Sequence, residues 1–342
     1  MGFRAAAASV LLTASLLPWT APSAEARTGT ACSPWVNISG FSDSLDKTTF
    51  DGVPVGELSG LSPDGKGRLV AVSDESYLFT LDSQTEKPVS VQPLADERGR
   101  PLDSEAVAVD RDGTRLVTSE VEPSIRRYSR NGELIGRLPV PASLQVAPAG
   151  RAGPNLTFEG MALQPDGHTL VASMEGALAG DGGDIRRLQT WRRAGGSDDF
   201  RVAAQYAVSA DAGLDISDIS AAGDGRLLVL ERGYTSGVGN TVRVYLADLR
   251  HASDVGAVET VTDRSRVRLV HTTLLADIAD CPSLGATAGQ PQPNPLLDNI
   301  EGITVTGRTL DGRLRLLLVS DDNENPEQTT RLYFLTARLP RK

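Results

Sequence analysis

Five Asp-Gly turns divide this chain of 342 residues into copies of one hairpin; they stand at Asp64-Gly65, Asp112-Gly113, Asp166-Gly167, Asp224-Gly225 and Asp311-Gly312. The clearest copy runs from Phe158 to Gly176. Met161, Leu163, Leu170, Val171 and Ala172 supply its apolar positions, and Pro165-Asp-Gly167 supplies the turn. Glycine takes the positive φ that a tight hairpin turn needs. In an antiparallel pair, the start of the first strand lies beside the end of the second. Glu159 opens the first strand and Glu175 closes the second, so both carboxylates should project at the end away from the turn.

Successive turns are 48, 54, 58 and 87 residues apart. A loose period near 50 residues, with room for four short strands per unit, is the pattern of an all-β propeller. Five blades are visible; a sixth would have to lie in the longest step, where no further Asp-Gly hairpin occurs. Outer strands are expected at residues 77–81, 89–93, 125–129, 133–138, 187–192, 202–208, 242–247 and 267–275, with insertions at 248–266 and 276–297. The strand pattern at residues 35–41 has no partner in the first repeat, and the last repeat has only residues 331–337 after its hairpin. The N-terminal strand is therefore expected to complete the last blade and close the ring, which removes exposed edges.

Arg4, the apolar residues 5–19 and Ala24-Glu25-Ala26 have the order of an export leader cut after Ala26. The apolar run is too short for a stable membrane span. A secreted protein of residues 27–342 is expected. Cys32 and Cys281 are the two cysteines, and in an exported chain a lone pair is most simply one disulfide. Closing so long a loop would stabilise by roughly 4–5 kcal/mol on the chain-entropy account.

The formal net charge of −10 disfavours nucleic acid and anionic membranes as partners. The hairpin acids explain part of it. Glu57, Glu105, Glu159, Asp218 and Glu301 stand in the first strands, and Asp74, Glu120, Glu175, Glu231 and Asp321 end the second. (In the first blade Ser59, not Glu57, holds the aligned place.) All should face one mouth of the central channel. So many carboxylates repel one another unless a cation, raised pKa values or arginines relieve them. Oxygen donors without thiolates or clustered histidines favour Ca²⁺, with Mg²⁺ as the alternative. The plainer alternative is that the acids accept backbone N–H bonds and pair with Arg126, Arg186 and Arg232. No G-x-S-x-G occurs, and His168, His251 and His271 stand away from the acids.

Several motifs together resemble one family. They are Phe41-Ser-Asp-Ser-Leu-Asp46, Leu58-Ser-Gly-Leu61, Pro154-Asn-Leu-Thr-Phe-Glu-Gly160, Glu175-Gly-Ala-Leu178, Glu231-Arg-Gly233, Gly239-Asn-Thr-Val-Arg243, Asp298-Asn-Ile-Glu-Gly302 and Ser320-Asp-Asp-Asn323. The chain is similar in these to the "esterase-like activity of phytase" family, from about Val36 onward. The resemblance implies a β-propeller related to calcium-requiring phytases, with esterase or phosphoesterase activity. The chain lacks the clustered lysines that a highly phosphorylated substrate would call for.

The expectation is a monomeric, secreted propeller that hydrolyses a small-molecule ester or phosphoester, with no nucleic acid and no membrane insertion. Glu159, Glu301, Asp321, Asp74 and Glu120 are the expected metal ligands. Glu175 or Glu231 is the expected base, and Arg232 the group that steadies an anion. The alternatives are a lactonase and a calcium-stabilised binding propeller without turnover.

Overall fold

In the computed structural model, Gly2 and residues 29–341 are described. The expected leader and its cleavage after Ala26 lie outside the described residues, Gly2 apart. Among these residues the regular secondary structure is almost entirely strand. β1 (Val36–Ser42) is followed by a small hairpin of β2 (Thr48–Phe50) and β3 (Val53–Val55), which the repeat pattern did not reveal. Five four-stranded sheets account for the rest. The first blade is β4 (Leu58–Pro63), β5 (Arg68–Ser73), β6 (Tyr77–Asp82) and β7 (Pro88–Pro93). The second is β8 (Val107–Val109), β9 (Arg115–Ser119), β10 (Ser124–Tyr128) and β11 (Leu134–Arg137). The third is β12 (Phe158–Leu163), β13 (Thr169–Met174), β14 (Ile185–Arg192) and β15 (Arg201–Ser209). The fourth is β16 (Asp215–Ala221), β17 (Leu227–Thr235), β18 (Gly239–Asp248) and β19 (His271–Asp277). The fifth is β20 (Asn299–Arg308), β21 (Leu314–Asp321), β22 (Leu332–Ala337) and, paired antiparallel to β22, β1.

The first strands β4, β8, β12, β16 and β20 touch one another in that cyclic order and line the channel. Each gap between neighbouring blades holds its own apolar core. Val70, Val72 and Leu78 meet Val107, Val117 and Tyr128 between blades one and two. Leu116 and Ile125 meet Phe158 and Trp191 between two and three. Val171 and Leu188 meet Ile219 and Val229 between three and four. Leu228 and Val244 meet Ile303 and Leu316 between four and five, and Leu317 and Val319 meet Leu58 and Phe79 where the ring closes.

The longest step between turns holds two insertions and no sixth blade. Residues 249–270 fold back on the third blade, where Val255 and Val270 donate their backbone N–H groups to Gln205 and Ala207. Residues 267–270, expected as strand, belong to this clasp. The second insertion carries Cys281, which is bonded to Cys32 across a sequence separation of 249 residues. The buried Arg331 side chain ties the same region down: it pairs with Asp43 and donates to the carbonyls of Thr287 and Leu296. No helix among the described residues is long and apolar enough to cross a membrane.

Candidate metal centre at the acid mouth

The site is built from a bulge repeated in four of the five channel strands. Leu58 opposes Ser73 and Gly60 opposes Val72, so Ser59 is the extra residue. Ile216 opposes Glu231 and Asp218 opposes Leu230, leaving Ser217 extra. Ile300 opposes Ser320 and Gly302 opposes Val319, leaving Glu301. In β12, Glu159 and Gly160 together oppose Ser173, whose Oγ accepts the Gly160 N–H at 3.1 Å. A bulge leaves its extra residue outside the ladder and re-aims that side chain. The residue after the bulge is Gly60, Gly160 or Gly302, and a Cβ there would stand 2.5–2.8 Å from backbone of the next channel strand. Glycine lets neighbouring blades meet backbone to backbone and holds the bulges at one height.

This register corrects the reading of the fourth blade. Ser217, not Asp218, aligns with Glu105, Glu159 and Glu301. Arg232 pairs with Asp215 as Asp321 pairs with Asn299, so Arg232 holds the place of Asp74, Glu120, Glu175 and Asp321. A one-residue slip moves side chains to the other face. Asp218 takes the glycine place instead and spans two blades. Its carboxylate accepts the Ile219 N–H at 2.7 Å and the Ile303 N–H at 2.8 Å. Burial raises its pKa well above the usual range, against the pull of these bonds. Glu231 also leaves the mouth: it accepts the Asp211 N–H at 2.9 Å, and burial pushes it to about 7.

Two groups of carboxylates do converge, and both contain Glu120. Within Glu120, Glu159 and Glu175, one oxygen from each lies within 4.8 Å of the others; the same holds for Asp103, Glu105 and Glu120. Asp103 escaped the sequence reading because it stands two residues before Glu105, outside the hairpin motif. Glu120 is held by the Thr157 N–H at 3.0 Å. Burial and the neighbouring acids together raise these groups: Glu120 to about 6, Glu175 to about 7, and Glu105 and Glu159 well above the usual range.

The other expected ligands stand across the mouth. Arg232 pairs with Glu301 at 2.5 Å. Asn299 Nδ2 donates to Glu301 at 3.0 Å and to Asp321 at 3.1 Å. Asp321 also accepts the Asn323 N–H. Burial and Glu301 push Asp321 to about 8; burial and Glu57 do the same to Asp74. Burial alone would lower the pKa of Arg232, but the charges of Glu301, Glu159, Glu175 and Asp321 more than reverse it. The other cations are engaged elsewhere, with Lys47 on Asp322, Arg186 on Asp215 and Arg126 on Glu97 and Glu122. Arg232 thus makes a direct ion pair on one side of the mouth, with Glu301, while it acts on Glu120, Glu159 and Glu175 only through space and no ion pair reaches those three among the described residues.

The donor set suits a hard cation. Carboxylate oxygens 4.8 Å apart or closer can share one ion at the 2.3–2.6 Å of calcium–oxygen bonds. Neither thiolate nor imidazole joins them. Ser217 Oγ, buried at the same level of the channel, has no hydrogen-bond partner.

A profile of the family described as "Phytase-like: Esterase-like activity of phytase" matches residues 53–324. The chain belongs to this family. As a phytase-like propeller it joins a group whose name points to hydrolysis. No curated protein matches it. Among solved structures it is similar to the extracellular domain of a protein described as a hybrid two component system of B. thetaiotaomicron. That match has 12% identity and a TM-score of 0.39, and covers 86% of this chain and 29% of the other. The phytase-like chain is also similar to a streptogramin B lyase, with 10% identity, a TM-score of 0.39 and coverage of 89% and 88%.

Proposed function

We propose that this phytase-like propeller is a secreted, calcium-dependent hydrolase of small esters, with its cation held by Glu120, Glu159 and Glu175. The observation that supports this most is the convergence of those three carboxylates within 4.8 Å, with no cation in direct ion pair with any of them among the described residues. A bound calcium ion would supply a polarising positive charge to an ester oxygen. Arg232, with 24% of its side chain exposed beside Glu301, is placed to hold the anionic oxygen that develops at the acyl group. Glu175, only half-buried, is the trio member that can exchange a proton with solvent. In the reaction water adds its oxygen to the acyl carbon and the bond to the leaving alcohol breaks. The alcohol takes one proton and the acid product releases the other. The disulfide is consistent with an oxidising compartment outside the cytosol.

The test is calorimetric titration of chelator-treated protein with calcium, beside hydrolysis of p-nitrophenyl esters and p-nitrophenyl phosphate with and without the ion. Calcium binding that Glu159→Gln abolishes, together with calcium-dependent turnover, supports the proposal. No heat of binding and no turnover would remove it.

A further inference from the structure

Three exposed apolar side chains stand next to residues of the acid mouth, although the chain as a whole is acidic. Val121 directly follows Glu120 in the turn between β9 and β10 and is 66% exposed. Leu156 precedes Thr157, the residue whose N–H holds Glu120. Its side chain lies over Gly176, next to Glu175: a Cβ built at Gly176 would stand 2.8 Å from Leu156 Cβ. Leu156 is still 38% exposed. Tyr234 stands two residues beyond Arg232 on β17, so it shares the face that carries the guanidinium. It is 57% exposed, in a hairpin that continues past the acids. These three residues come from a turn, a loop and the end of β17, yet each is tied to a residue of the site by adjacency or by strand face.

Isolated exposed apolar residues are ordinary. Three around one charged mouth describe a seat for something apolar that is joined to something the mouth can hold. A phosphorylated polyol does not fit that description: several phosphates call for several cations, whereas Lys47 and Arg186 hold carboxylates elsewhere and Arg232 alone among the described cations faces the acids of the mouth. We infer that the substrate class is carboxylic esters with a medium-length apolar acyl group, seated on Val121, Leu156 and Tyr234 while the ester oxygen faces the acid trio. This inference rests on the hydrolase reading above and narrows it.

The test uses the mature chain with calcium and a series of p-nitrophenyl esters: acetate, butyrate and octanoate, with p-nitrophenyl phosphate alongside. Each methylene that leaves water strengthens binding, and does so less on an open rim than in a closed pocket. From acetate to octanoate, kcat/KM should therefore rise at least ten-fold, mainly through KM. Val121→Asn, Leu156→Asn and Tyr234→Ser should each cut the octanoate-to-acetate ratio several-fold. Val121→Leu should preserve it. Melting curves identify any variant that has lost its fold, and a fold defect would lower both substrates together. Turnover with no dependence on chain length, or a preference for the phosphate ester, overturns the inference and leaves the hydrolase reading standing. Absence of turnover on every ester overturns both.

Discussion

Arg232 is a half-buried cation in a ring of acids, and its pairing with Glu301 yields a prediction with a sign and a size. Arg232→Met leaves Glu301, 8% exposed, with only Asn299 to compensate its charge. Two unit charges about 4 Å apart interact by about 4 kcal/mol at an effective dielectric constant near 20. Breaking a buried pair from one side typically costs about 3–5 kcal/mol. The partial exposure of Arg232 places the expected loss near the lower figure. Glu301→Gln should cost less, about 1–2 kcal/mol, because Arg232 keeps Glu159, Glu175 and Asp321 as neighbours. The double variant should be more stable than the sum of the singles by about 2 kcal/mol, since Glu301 is then no longer a charge left without its guanidinium partner. The assay is urea unfolding of calcium-free protein at pH 8. Additive losses within about 0.5 kcal/mol would show that the two side chains do not act as a pair. The same Arg232→Met protein should bind calcium more tightly, because it lacks the competing charge; weaker binding would refute the view that arginine and metal divide the mouth.

Metal-free protein should lose stability between about pH 5 and pH 8. Burial first, and then mutual repulsion, raises Glu57 to about 7, Asp74 to about 8 and Asp321 to about 8, above unfolded carboxylate values near 4. The folded state thus holds more protons in that window, and each extra proton lowers stability by about 1.4 kcal/mol per pH unit. Thermal melts should show this fall, and saturating calcium should flatten it; a melting temperature that rises with pH in chelator would contradict it. Asp218→Ala orphans two buried N–H groups and should cost about 2–4 kcal/mol in urea unfolding, while calorimetry shows an unchanged calcium affinity. Glu231→Gln should likewise leave calcium affinity unchanged, whereas Glu120→Gln should weaken it at least ten-fold. Replacing Cys32 and Cys281 by serine should cost up to about 4–5 kcal/mol, as a lowered melting temperature without loss of calcium binding.

The blades were legible because a hairpin writes itself locally: two apolar runs, an Asp-Gly turn and a fixed order. The register of the fourth blade was not. Asp215-Ile-Ser-Asp-Ile-Ser repeats itself after three residues, so either aspartate can be matched to the glutamates of the other blades. Only cross-strand pairing decides, and it places Asp215 beside Arg232. The bulges hide the rest, since an extra residue breaks the alternation on which strand facing is judged. Glu231 was misplaced for the same reason, and the sequence put Arg232 beside it rather than in its stead. Glu120, Glu159 and Glu175 were all legible as mouth residues. That they form one group, while Glu301 and Asp321 face an arginine and an asparagine, depends on distances between blades that no local pattern carries.

The pairing of β1 with β22 sets an order of events. Val36 lies opposite Ala337, so β1, the outer strand of the fifth sheet, cannot find its neighbour until the chain has been made as far as β22. A chain synthesised from its N-terminus carries β1 as an unsatisfied edge while blades one to four assemble behind it. Joining such distant segments carries a large loop-closure cost and belongs late in folding. β1 therefore joins its sheet late, and a chain cut short before Leu332 leaves β1 without its partner strand.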